Sequence, residues 1–258
     1  MPELELPIIL MVVIGGFLAG WVDAVVGGGG LIQLPVLLLV PGIAPVQALA
    51  TNKIGSIMGT SVAAYTYQRK IQTDLKTALP MAATALVGAV GGAALASFIP
   101  GAALRPIVVV ACLIVFLWTI FRRASGLDTV RRYQGRRHHV FAMLIGLAIG
   151  SYDGLLGPGT GTFLVISLVG VLGYAFMPAS AIAKIVNFAT NLGALIFFIP
   201  AGHVVWELGL IIGAANMLGG FLGARTAVRR GSEFVRLVFL VVVGGLIVKL
   251  AWDVITSF

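Results

Sequence analysis

Two aspartates and two lysines lie where so apolar a chain has little reason to carry charge. Asp23 stands in "GWVDAVVGGGG" (Gly20–Gly30) and Asp153 in "GSYDGLLGPGTG" (Gly150–Gly161). Lys53 follows in "ALATNKI" and Lys184 in "SAIAKI". Each aspartate runs into a glycine-rich break, and each lysine shares its segment with asparagine and threonine. Bare backbone amides at a break, with the positive end of the next helix, make an anion site. Ammonium groups beside them would neutralise the bound charge. An ionisable side chain inside an apolar segment is costly, so it marks a function or a specific partner.

The elements that must position these groups are membrane spans. Hydrophobic residues make up 59% of the 258, charged ones 10%, and mean hydropathy is +1.08. A soluble domain carries about a quarter charged residues, so this chain cannot clothe a water-facing surface. Apolar runs long enough to cross about 30 Å of hydrocarbon recur throughout, and the expectation is an all-α polytopic membrane protein. The run from Leu6 to Val26 reads as the first span rather than a signal peptide, because Glu3 and Glu5 precede it in place of a basic segment. The lone Cys112 excludes an intrachain disulfide and is expected to be a small membrane-buried residue.

A formal charge of +8 invites a nucleic-acid reading, but its distribution argues otherwise. Of 17 Lys and Arg, 13 fall in Arg69–Lys76, Arg122–Arg137 and Arg225–Arg236. Basic residues near span ends mark the cytoplasmic side. The run "RRASGLDTVRRYQGRRHH" reads as a cytoplasmic connector in reach of anionic lipid. It interleaves no aromatics for stacking on bases, so no nucleic-acid partner is expected.

The chain repeats itself. At an offset of 130, Asp23 meets Asp153, Gly27 meets Gly157 and Gly29 meets Gly159. At 131, Lys53 meets Lys184, Gly88 and Gly92 meet Gly219 and Gly223, and Arg105 meets Arg236. The expected organisation is an N-terminal membrane repeat (1–122), a basic linker (123–138) and a C-terminal membrane repeat (139–258). Gly/Pro breaks and charge clusters divide each repeat into five segments, about 7–26, 30–40, 47–68, 77–99 and 101–121, then 140–156, 161–174, 179–199, 205–224 and 234–255. The loop after the third segment is basic in the first repeat ("QRKIQTDLK") and free of Lys and Arg in the second ("IPAGHVVWE"). After the fourth segment the order reverses. Corresponding loops of opposite charge belong on opposite faces, so the repeats are expected to be inverted, with both termini outside.

In such a fold the short second segments, 30–40 and 161–174, read as broken helices near the midplane. The expected substrate-binding set is Gly28, Gly29, Gly30, Asn52 and Lys53 with Gly159, Thr160, Gly161, Lys184, Asn187 and Asn191. Lys184, Asn187 and Asn191 share one helix face. Against this stand two plainer readings: glycines that only permit close helix packing, and lysines that snorkel to the interface. Asp23 and Asp153 either cap the breaks or pair with a lysine, or else carry a coupling proton.

These residues resemble the TauE/SafE sulfite and organosulfonate exporter family, also called the toluene-sulfonate uptake permease family. The likeness runs over essentially the whole chain. It rests on "GWVDAVVGGGGLIQLPVLL" with "ATNKIGSIMGT", and on "GSYDGLLGPGTGTF" with "SAIAKIVNFATNLGAL". One departure is Ala183, which stands in "AIAK" where a "TSK"-like triplet is expected and where the first repeat has Asn52. The resemblance implies a bacterial-type inner-membrane carrier of small sulfur-containing anions such as sulfite, sulfoacetate or other sulfonates, with no cofactor or metal. A homodimer is left open. The competing class is an intramembrane aspartyl-type enzyme built on Asp23 and Asp153, and an anion channel is a third. No HExxH and no His–Ser dyad accompanies the aspartates, and duplicated lysines suit anion transport better than proteolysis.

Overall fold

The structure, a computed structural model, describes residues 5–103, 107, 110 and 129–256, with side chains for all of these but 232, 233 and 235–256. Every regular element among them is helical: α1 (Leu6–Val26), α2 (Gly30–Leu38), α3 (Pro45–Gln68), α4 (Leu75–Phe98), α5 (Gly135–Leu155), α6 (Thr160–Ser167), α7 (Phe176–Phe198) and α8 (Trp206–Thr256). A π-turn, Leu168–Leu172, extends α6, and α8 breaks at Gly231, whose φ is 78°. Among the described residues, four stretches are long and apolar enough to cross a membrane: Leu6–Val26, Leu75–Phe98, Phe176–Phe198 and Trp206–Gly231. With the π-turn counted in α6, the bounds of α1 to α7 fall within a few residues of the expected segments, and the last two expected segments lie on α8, on either side of Gly231. The segment at 101–121 and Cys112 lie almost wholly or wholly outside the described residues.

Packing is reciprocal between the two halves of the chain. Helix α1 packs on α8 and α4 on α5, α3 packs on α8 and α4 on α7, and α3 and α7 meet each other. Small residues let these backbones touch. A Cβ at Gly20 would stand 2.1 Å from the Asn216 carbonyl of α8, and one at Gly150 would stand 2.1 Å from that of Ala85 in α4. From the facing helices, Gly88 and Gly92 lie against Leu147 and Ser151 of α5, while Gly219 and Gly223 lie against Phe17 and Trp21 of α1. Glycines matched at an offset of 131 thus make matched contacts. Close approach of this kind replaces the hydrophobic driving force that lipid does not supply between helices.

The ends of the bundle differ. At one end Arg131 of the connector pairs with Asp74 at 2.8 Å, and Arg69 and Lys70 share a groove with Arg225 and Arg229. Burial pushes the Asp74 carboxyl up, but hydrogen bonds from Tyr174 and Thr77 and the Arg131 guanidinium outweigh it and hold it below the usual range. At the other end the Val205 amide donates to Thr51 Oγ1 at 3.0 Å, and Gly101 abuts Pro45. The loop after α7 therefore lies beside the first turns of α3, at the opposite end from the loop that follows α3.

Gly150→Val should fail to close the α4–α5 contact and lower thermal stability in detergent by an amount typical of overpacking, roughly 1–3 kcal/mol or more. Gly91→Ala, which meets nothing within 4 Å, should leave the melting temperature unchanged or raised.

Candidate anion site

The last turns of α1 and α5 leave backbone carbonyls with no helical partner, and in lipid such groups need partners from within the protein. A lysine from the opposite half reaches the last turn of each helix, at Asp23 as an added donor, since that carbonyl also accepts from the Gly27 amide at 2.8 Å. Lys53 Nζ of α3 donates to the Asp153 carbonyl at 2.6 Å and lies 2.9 Å from Asp153 Oδ2. Lys184 Nζ of α7 donates to the Asp23 carbonyl and lies 2.7 Å from Asp23 Oδ2. Each cation thus sits at the negative end of a helix and beside its carboxylate, where both dipole and charge favour it. Both lysine side chains are 1% exposed, so neither snorkels. Of the readings open for the aspartates, pairing with a lysine is what the structure shows, and the pairing crosses between halves.

Two more carbonyls in the last turn of α1 are met by side chains, one from each half. Tyr67 Oη donates to the Ala24 carbonyl at 2.9 Å and Thr162 Oγ1 to that of Val26 at 3.2 Å. The Thr162 amide donates to the Gly27 carbonyl at 3.0 Å. The two breaks therefore touch through backbone: a Cβ at Gly27 would fall 2.2 Å from the Gly161 carbonyl carbon. Gly27 (φ 84°), Gly157 (φ 90°) and Gly159 (φ 76°) adopt the left-handed conformation that turns each chain into its short helix.

A small polar cavity of about 10 Å³, room for one water, lies where these parts meet. Asn52, Lys53, Gly30, Asp23 and Asp153 line it, as do Gly159, Thr160, Gly161, Asn187 and Asn191. Gly27, Ser56 and Gly157 also reach it, although none belongs to the expected binding set. Lys184 does not line it directly but pairs with Asp23, which does. Gly28 and Gly29 are not part of the lining either. Gly29 is pressed against α1, where a Cβ would meet the Ala19 carbonyl and Asp23 Cβ at 2.5 Å, so its lack of a side chain serves packing.

The two halves of the site are not identical. Thr160 Oγ1 donates to Asp153 Oδ1 at 2.6 Å, whereas the residue matching Thr160 is Gly30, and the Asp23 side chain is the more exposed at 15% against 3%. At the offset of 131, Ser56 faces Asn187 and Thr60 faces Asn191, so the polar stripe recurs with altered side chains. Asn191 Nδ2 donates to the Asn187 carbonyl at 2.8 Å, and Asn52 Oδ1 is buried without a hydrogen-bond partner.

Sequence reading passed over Gln33 and Asn216. Gln33 is fully buried on α2; its Nε2 donates to the Asn52 carbonyl at 3.1 Å, and its Oε1 accepts from Asn216 Nδ2. This chain ties α2, α3 and α8 behind the cavity. A lone amide inside an apolar helix was the available signal, but neither residue recurs in the other half. Among the described residues no group of three His, Cys, Asp or Glu side chains is placed to hold a metal.

The profile of the family described as "Sulfite exporter TauE/SafE" matches residues 12–250. The chain belongs to this family. Among curated relatives, "Probable membrane transporter protein ORF9" of Sinorhizobium sp is 34% identical over 98% of this chain and 96% of its own length. "Probable membrane transporter protein YfcA" of Escherichia coli K12 is 33% identical over 92% of this chain and 87% of its own length. "Probable membrane transporter protein YdhB" of Bacillus subtilis is 27% identical over 84% and 88%. No solved structure matches. The family and the names of these relatives indicate a multi-pass membrane transporter.

Breaking one crossed pair strands a buried charge, which typically costs 3–5 kcal/mol, whereas neutralising both partners does not. Lys53→Gln and Asp153→Asn should each lower the melting temperature in detergent, and the double variant should recover at least half of the loss. Additive losses in the double variant would show that the pair contributes nothing as a pair.

Proposed function

We propose that this TauE/SafE protein is a secondary transporter of small sulfur-containing anions such as sulfite or sulfonates, binding them between two inverted repeats of five membrane segments. The observation that carries the reading is the pair of buried ammonium groups, one from each half, beside a polar cavity walled by two glycine breaks. The family description supports sulfite or a near chemical relative as cargo.

In this form the cavity admits one water and each lysine is held by an aspartate. An oxyanion of several heavy atoms enters only if the breaks part and the lysines exchange a carboxylate for the substrate. Asn52 Oδ1, unpaired beside the cavity, suits a substrate oxygen that carries a proton or a bridging water. Parting of the breaks towards one membrane face and then the other is alternating access about a fixed site. Each carboxylate has its own lysine rather than sharing a proton with the other, an arrangement unlike a proteolytic aspartyl dyad.

The gathering of three basic stretches at one end, with the Lys- and Arg-free loop after α7 at the other, supports inversion with that basic end in the cytoplasm of a bacterial inner membrane. Cysteine labelling in a Cys112→Ala background should find Gly202→Cys reactive from outside and Arg229→Cys only from inside. Both reacting from one face would overturn the inversion.

Transport is tested in proteoliposomes with labelled sulfite, sulfoacetate, taurine, thiosulfate and sulfate. The preferred anion should show saturable flux and counterflow. The Lys53→Gln/Asp153→Asn double variant should then bind it about ten- to a hundredfold more weakly, the equivalent of a charge-assisted hydrogen bond of roughly 1.5–3 kcal/mol. Wild-type affinity in a folded double variant would place the anion elsewhere.

A further inference from the structure

Where α3 ends and α8 passes beside it, the two helices leave a groove of about 520 Å³. Arg69, Lys70, Arg225 and Arg229 line it, and all four are exposed. None of them has a carboxylate within ion-pair distance among the described residues. Between these cations the walls are apolar, formed chiefly by Tyr65, Phe221 and Val228. The Arg69 guanidinium lies 4.9 Å from the Tyr65 ring centroid, and that of Arg225 lies 6.0 Å from the Phe221 ring. Stacking of this kind holds the two guanidinium heads over the aromatic walls of the groove.

Four uncompensated cations call for an anion, and the apolar walls call for something more than an inorganic one. Free phosphate would satisfy the charges and leave Tyr65 and Phe221, 58% and 41% exposed, uncovered. A second copy of this chain docked by two-fold symmetry would bring four more cations against these four. A molecule with a phosphate at one end and hydrocarbon behind it satisfies both sets, and the groove lies at a span end, where headgroup meets acyl chain.

We propose that this groove binds one anionic phospholipid, its phosphate held by Arg69, Lys70, Arg225 and Arg229 and its acyl chain laid against Tyr65, Phe221 and Val228. The lipid bridges α3, which carries Lys53, to α8, which packs on the Asp23-bearing α1, and so fastens two walls of the central site at their basic end. The inference rests on the membrane placement of the chain and not on which anion it carries.

Native mass spectrometry and thermal stability in detergent, titrated with phosphatidylglycerol, phosphatidylcholine or inorganic phosphate, test it. Phosphatidylglycerol should bind with a stoichiometry of one and raise the melting temperature saturably, while phosphatidylcholine and inorganic phosphate should not. Arg69→Gln/Lys70→Gln/Arg225→Gln/Arg229→Gln should weaken that binding at least tenfold. A control removing equal charge elsewhere, Lys76→Gln/Arg132→Gln/Arg136→Gln/Arg137→Gln, should leave it within twofold. All eight residues are exposed, so both variants should fold. Equal binding of phosphatidylcholine, stabilisation by inorganic phosphate alone, or equal losses in the two variants would overturn the site.

Discussion

The structure depends on a crossed exchange of charge between its two halves. Helices α1 and α5 must end inside the protein to present their glycine breaks, and a helix end in lipid leaves carbonyls that water cannot satisfy. The chain answers with Lys184 on Asp23 and Lys53 on Asp153, each ammonium holding both a main-chain carbonyl and a carboxylate. Because each lysine belongs to the other half, neither half completes its own site. On the proposed function, the same contact also keeps two cations close to the anion's path.

From that constraint the rest of the packing follows. Lys53 of α3 reaches Asp153 of α5 and Lys184 of α7 reaches Asp23 of α1, and the two lysine-bearing helices pack on each other. The breaks come into backbone contact only if glycine stands at both Gly27 and Gly161. The outer contacts, α1 on α8 and α4 on α5, then close on matched glycines. Function is constrained as well, since ion pairs this buried are stable until something competes for the lysines. A small anion is a competitor of the right charge, and displacement of the aspartates would couple its binding to separation of the breaks.

Much of this was legible in the residues because charge cannot be hidden in an apolar run. Asp23, Lys53 and their counterparts stood out by type, and duplication turned each coincidence into a pattern. Helix boundaries were equally open, because Gly27–Gly30, Gly157–Gly161 and the basic loops punctuate the chain. The partners were not legible. Spacing along a sequence says nothing of which lysine crosses to which aspartate, and only the packing of the helices that carry them decides it. Single-copy features escaped too: Gln33 and Asn216 have no counterpart to draw attention to them. Gly29 has a counterpart, Gly159, which lines the cavity, while its own missing Cβ makes room for the Ala19 carbonyl.

The most direct test of the account is to locate the anion itself. Selenite has the shape and charge of sulfite and carries an anomalous scatterer, so crystals of the protein grown with it would show the ion by its selenium signal. The account predicts one peak between the two glycine breaks, within hydrogen-bonding reach of Lys53 or Lys184, with at least one crossed lysine–aspartate pair opened. A selenium peak away from both lysines, with both pairs intact, would contradict it.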